Sequence, residues 1–377
     1  MRRALRTTTV LIGLAGAAVL AVAGPARADH VETLTHLDLP AGSVWGAPVA
    51  GNAGGVLVGT VGDGGGDAGL RAARWTGHGV AILDTPPGAW SRANSVNRDG
   101  TTVGFVAPAT SPDLVSPARH AQATVWNAAG VATPIAPRFA GFSVATSIND
   151  AGEIVGFASP PGESGTAQLI YVRFEAGAVI PLAPHPTDLC SDGTDLEHAL
   201  GTSTRAGLTS PALSNTPTGN IVVGTVLTGS FVYGIDTGSF LQPGEFRGLP
   251  NLAGAPAGTI TAGLAISADH MTILGMQFDS GERSLLWREI YRSGHPSYKP
   301  YTLPAPAGQS SAWAATMSPD ADLIVDFGFT NNGTATVERL STAATVIVEN
   351  AIVYGITNPG LAYGTDRQGR PTTWQIH

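Results

Sequence analysis

The sequence predicts an all-β chain wound into a β-propeller, most simply of seven four-stranded blades, and three observations predict it. A hairpin pattern, clearest from Ser143 to Ala158, returns along nearly the whole chain. The composition, with 49 glycines, 27 prolines and 13% charged residues, suits short strands and many turns, and no amphipathic segment of useful length has helical period with capping signals. The last copy of the pattern stops at Thr372 to His377 without a fourth strand, and the stretch Val31 to Leu37 offers the missing one.

Taken in order, residues 1–28 have the form of a cleaved signal peptide. Arg2, Arg3 and Arg6 give a positive start, Val10 to Ala23 is apolar, and Ala26-Arg27-Ala28 fits the small-x-small rule before Asp29. The apolar run is shorter than the ~20 residues a spanning helix needs, and no later run is long enough, so the expectation is a secreted protein without a membrane span. The formal net charge of −8 becomes more negative once the leader is removed, which disfavours nucleic acid as a partner. A single cysteine, Cys190, excludes an intramolecular disulfide framework, so stability must come from a buried core. Residues 29–377 then form one propeller domain, expected to be monomeric, with an insertion at about 184–209.

Each hairpin closes on a glycine of the second strand: Gly59, Gly104, Gly156, Gly224, Gly275 and Gly364. Asp326 stands at that place in the one degenerate copy, and if this copy is not a blade the ring has six. Before most of these positions lies a turn such as Asn97-Arg98-Asp99-Gly100 or Asn149-Asp150-Ala151-Gly152, whose Asn, Asp and Gly accept left-handed backbone angles. After each comes a loop, then a strand carrying an aromatic, as at Trp75, Trp126, Phe174 and Trp287, and a fourth apolar segment. An antiparallel unit of this size cannot bury both faces alone, and stacking its copies in a ring solves that. Pairing Val31 to Leu37 with the last copy would leave no open edge at the seam.

The run Ile-Asn-Asp-x-Gly-x-Ile-Val-Gly at Ile148 to Gly156, followed by a loop and an aromatic strand, resembles the extracellular HAF-repeat proteins of bacteria. The His-Ala-Phe tripeptide of that family is missing, the equivalent stretches here being Arg71-Ala72-Ala73-Arg74-Trp75 and Gln122-Ala123-Thr124-Val125-Trp126. The resemblance implies an exported repeat protein and carries over no catalytic residues.

Motifs of chemistry are few. Gly-x-Ser-x-Gly, His-Glu-x-x-His and paired Cys-x-x-Cys are absent from the sequence. Gly64, Gly66 and Gly69 match a dinucleotide fingerprint, but Trp75 follows on a strand where the fingerprint requires a helix. Two features point to a site. Trp45, Trp90 and Phe142 each stand 14 residues before their closing glycine, and Trp313 stands 13 before Asp326, so all four open an innermost strand at one mouth of the channel. Exposed there, they offer flat surfaces to a sugar; the alternative is that they wedge between blades. The insertion brings Asp188, Asp192, Asp195 and Glu197 together beside Cys190 and His198, oxygen ligands suited to Ca²⁺ although the EF-hand spacing fails, and otherwise a solvated acidic loop. The function expected is a secreted non-catalytic binding propeller for polysaccharide, the cell envelope or another extracellular protein, without an obligatory cofactor. The rivals are an extracellular polysaccharide hydrolase or lyase and a structural envelope protein.

Overall fold

In the computed structural model the described residues are 30–65, 69–109, 120–159, 170–182, 212–213, 221–226, 229–234, 246–257, 259–278, 282–292, 295–303, 313–327, 334–349, 351–358 and 360–377. They form strands and turns only, in seven four-stranded antiparallel sheets.

Strand β1 (Val31–His36) precedes the first blade, which is β2 (Trp45–Gly51), β3 (Val56–Gly62), β4 (Arg71–Thr76) and β5 (Gly79–Ile82). The second is β6 (Ala89–Val96), β7 (Thr102–Pro108), β8 (Gln122–Trp126) and β9 (Ala132–Pro134), and the third β10 (Phe142–Ile148), β11 (Ile154–Ser159), β12 (Ile170–Glu175) and β13 (Ala178–Pro181). The fourth is β14 (Ala212–Leu213), β15 (Ile221–Val226), β16 (Gly229–Gly234) and β17 (Phe246–Gly248). The fifth is β18 (Ile260–Ile266), β19 (Thr272–Phe278), β20 (Glu282–Arg292) and β21 (His295–Thr302). The degenerate copy at Asp326 is a complete sheet of its own, β22 (Trp313–Met317), β23 (Leu323–Phe327), β24 (Ala335–Arg339) and β25 (Ala344–Val348). The last blade is β26 (Ala351–Ile356), β27 (Leu361–Asp366), β28 (Pro371–Ile376) and, as its outermost strand, β1.

The ring closes as the two chain ends predicted. Strand β1 runs antiparallel to β28, with Val31 opposite Ile376 and His36 opposite Thr372. Each innermost strand touches the next around the circle, β26 meeting β2 to complete it. The apolar core lies between neighbouring sheets. One cluster joins Trp90, Phe105, Val144, Phe157 and Tyr171 from two blades, and another joins Leu323 and Val337 to Val353 and Trp374.

The repeat glycine has a cause that needs the register to be seen. In six of the described blades the innermost strand carries one extra residue, between Ala145 and Ser147 in the third, and the residue just before this bulge faces the glycine of the second strand in five of them and Asp326 in the degenerate copy. At Gly156 a β-carbon would run into the Val144 carbonyl oxygen, so in this blade glycine lets the two backbones approach as closely as they do.

The turn residues also do more than turn. Asn149, 3% exposed, accepts hydrogen bonds on Oδ1 from the Ala151 and Glu153 amides at 3.1 and 2.9 Å. Its relatives reach to the next blade: Asn52 Nδ2 donates to the Asn97 carbonyl at 2.8 Å, and Asn97 Nδ2 to the Asn149 carbonyl at 3.4 Å. The third-strand tryptophans act the same way, Trp75, Trp126 and Trp287 donating Nε1–H to the carbonyls of Asp38, Asp84 and Pro250 on the segment that arrives from the previous blade. Arg74 crosses from the first blade to the Gly100 and Asn127 carbonyls of the second at 2.8 and 3.0 Å, and burial lowers its pKa.

Candidate ligand-binding face

Antiparallel blades give the ring two unlike ends. At the turn end lie the tight hairpins between first and second strands, closed by Asn52, Asn97, Asn149, Ser267, Ser318 and Thr357. The loop end carries the connections between second and third strands, the links from blade to blade, and the residues that open the innermost strands.

The four candidate aromatics open strands at the loop end, as the spacing predicted, but Trp90 and Phe142 present no ring face to solvent. Trp90 is 0% exposed and Phe142 4%. Trp90 meets Phe105 edge-on at 5.1 Å and 85°, an ordinary core geometry. The following residues explain the seating. Ser91 N–H donates to the Leu70 carbonyl at 3.2 Å while Ser91 Oγ accepts from the Ala72 amide at 2.9 Å, and Ser143 makes the same pair of bonds to Ala121 and Ala123. Each link pulls the preceding aromatic between two blades. Trp45 is half-buried and packs over Gly62 at the edge of the same cluster. Trp313 begins β22 opposite Phe327, and its side chain lies outside the described residues. Asp188, Asp192, Asp195 and Glu197 also lie outside them, and among the described residues no group of acids, histidines or cysteines has metal-binding geometry.

Along the channel the wall is nearly free of charge. Among the described residues the innermost strands carry one acidic or basic side chain, Arg92, beside half-buried positions such as Val49, Asn94 and Thr146. Asn94, at the bulge, donates to the Ala145 carbonyl of the next blade at 2.8 Å.

Polar groups do converge at the seam. A cleft of about 380 Å³ is lined by His36, Glu349, Asp366, Arg367, Gln368, Thr372 and Trp374. Three segments build it: the end of β1, the segment leaving β25, and the β27 to β28 connection. Asp366 shapes that connection. Its Oδ1 accepts from the Gln368 and Arg370 amides at 2.9 Å, and its Oδ2 from Arg370 Nε at 2.7 Å. Burial alone would raise this carboxyl, but those hydrogen bonds and the Arg370 charge outweigh it and hold its pKa below the usual carboxylate range. Asp366 is thus committed to the turn. His36 is held by Thr372, Nδ1 to Oγ1 at 3.0 Å, while 47% of its side chain stays exposed. Glu349 and Arg367 make no ion pair with any described residue. One acid, one base, an imidazole and an amide therefore face a common space, a mixed set of donors and acceptors suited to a neutral, many-hydroxyl ligand.

The sequence alone leaves this cleft unseen, because His36 is 336 residues from its partner Thr372. The expected pairing of Val31 to Leu37 with the last copy held the clue, since it already places His36 beside Thr372.

A second polar cluster sits at the turn end of the fifth blade. The Tyr298 hydroxyl donates to the His270 carbonyl at 2.6 Å, and Glu289 Oε2 lies 3.8 Å from His270 Nε2 with its side chain 4% exposed. Burial, then the charge of Asp269, raises the Glu289 pKa; burial lowers that of His270 against the opposing pull of Asp269.

No family model matches the chain, and neither does any curated protein. Among solved structures it is similar to the β-propeller domain of Cps50 (Swd1) from Myceliophteria thermophila, at 11% identity over 92% of this chain and 100% of that one, with a TM-score of 0.48. Hydrazine synthase of Kuenenia stuttgartiensis gives 11% identity, 90% and 97% coverage and 0.47; TolB from Acinetobacter baumannii gives 12%, 82% and 76%, and 0.40. The propeller architecture rests on the seven four-stranded sheets themselves.

Proposed function

We propose that this is a secreted, non-catalytic binding propeller that takes carbohydrate of the cell envelope or surroundings at its loop end, with the seam cleft as the site. The observation that carries the reading is the cleft itself, where His36, Glu349, Arg367 and Gln368 offer hydrogen-bonding groups of both kinds. Sugars are recognised by such mixed sets, because each hydroxyl both donates and accepts. The leader-like residues 1–28 and the resemblance to HAF-repeat proteins favour an extracellular setting.

The test is a screen of neutral oligosaccharides against residues 29–377, followed by titration calorimetry of any that bind. Arg367→Ala and His36→Ala each cost about tenfold in affinity if the cleft is the site, with thermal stability changed by no more than about 0.5 kcal/mol. Binding that survives both substitutions places the ligand elsewhere, and release of shortened sugars during the assay would favour the hydrolase or lyase instead.

A further inference from the structure

The fifth blade departs from its neighbours in its outer hairpin. In the first blade the two outer strands end one pair beyond Trp75, at Thr76 opposite Gly79. In the fifth they run on for five pairs beyond Trp287, from Arg288 opposite Lys299 to Arg292 opposite His295. Strands of 11 and 8 residues replace strands of 6 and 4, and a two-stranded ribbon extends at the turn end.

The two edges of this ribbon differ in character. Trp287, Glu289 and Tyr298 point to the body, with Trp287 and Tyr298 buried. Alternation puts Arg288 and Lys299 on the other side, directly opposite one another, and both are exposed. Like charges facing across a ladder destabilise it. Neither has an ion-pair partner among the described residues, although the chain is acidic overall and Lys299 is its only lysine. Ile290 and Ser297 continue the same face and bring no acid to it. Lys299 Nζ also lies 5.1 Å from the centre of the Tyr301 ring, which is 40% exposed.

A facing pair of cations with no ion-pair partner among the described residues, edged by an exposed aromatic, is costly to the fold and useful to a polyanion. We propose that this ribbon is a docking surface for an anionic, carboxylate-bearing linear polysaccharide, separate from the seam cleft and independent of what the cleft binds. The extended ribbon gives a linear chain a length of surface to lie along, the two cations meet its carboxylates, and Tyr301 offers a ring to a sugar face.

Affinity electrophoresis of residues 29–377 through gels holding polygalacturonate, with neutral dextran as the comparison gel, tests this. The expected result is retardation by polygalacturonate alone, weakened by salt and reduced about tenfold in Arg288→Glu/Lys299→Glu. A single reversal at the distant, exposed Arg138, Arg138→Glu, should leave it unchanged, whereas Lys299→Glu alone should weaken it. No retardation of the native chain, equal loss with Arg138→Glu, or undiminished retardation of the double variant overturns the proposal. So does stronger retardation by poly-glutamate than by polygalacturonate, which would assign the ribbon to acidic proteins. The melting temperature of each variant guards against loss through unfolding: it is expected near the native value for the double variant, which exchanges one like-charge pair for another, and at or above it for Lys299→Glu, which sets a carboxylate opposite Arg288.

Discussion

The two ends of the ring are made from the same repeat and serve opposite purposes. At the turn end the six described copies are alike: a buried Asn or hydroxyl closes a short hairpin and, in the first blades, reaches to the next one, as Asn52 does to Asn97 and Asn97 to Asn149. At the loop end the copies diverge. Trp90 and Phe142 are drawn into the core by the Ser91 and Ser143 links, while at the seam Glu349 and Arg367 have no ion partner among the described residues. What is repeated holds the ring together, and what is not repeated is free to bind. The basic ribbon obeys the same rule, since it sits at the turn end yet belongs to one blade only.

Substitutions can break this contrast. The largest effect is expected at the constant part of the repeat: Gly156→Ala forces a β-carbon against the Val144 carbonyl and should cost about 3 kcal/mol in urea denaturation. If it is tolerated, the strands of the third blade yield to a side chain at this place, as those of the degenerate copy do to Asp326, and the close approach at Gly156 is not a requirement. Asn149→Ala comes next, at about 2 kcal/mol, because it removes two hydrogen bonds to the turn from a side chain only 3% exposed. Surface changes at the loop end such as Arg367→Ala should stay within about 0.5 kcal/mol, and a comparable loss there would erase the distinction between the ends.

A smaller, pH-dependent effect concerns the fifth blade. Glu289 has a folded pKa raised above its unfolded value, so its contribution is fully present below the unfolded carboxyl range near 4.5 and is lost as pH rises through the folded value. His270 is shifted down, so its contribution is present above the ordinary 6.5 and is lost as pH falls toward the folded value. Glu289→Gln should therefore raise the melting temperature at pH 8 relative to the native chain and lose that advantage at pH 4. A difference that does not vary with pH would mean that ionisation of Glu289 costs the fold nothing.

Much of the architecture was legible because its causes are local. Alternating apolar residues, the Asn-to-Gly turns and the aromatic third strands each declare themselves within about ten residues, and the unmatched last copy pointed to β1. The bulge was hidden, since a skipped pairing between Ala145 and Ser147 appears only when two strands are laid side by side. The fate of Trp90 and Phe142 was hidden for a related reason: their spacing sets where the strand opens, but the Ser91 and Ser143 bonds to another blade decide which way the ring turns. The place of His36 was hidden too, because its partner Thr372 stands at the far end of the chain.

The seam also sets the order in which the molecule can assemble. Joining His36 to Thr372 closes a loop of 336 residues, an entropic cost that grows as (3/2)RT ln n and comes to about 5 kcal/mol. No hairpin within a blade meets a demand of that size. The cost is reduced only if the intervening sheets have already stacked and brought the two ends near. Local hairpins then come first, blade docking second and the β1 to β28 pairing last, so that the seam is also the first place for the ring to open. A sugar held between His36 and Arg367 would bridge that opening, and its binding would register as slower unfolding of the whole ring.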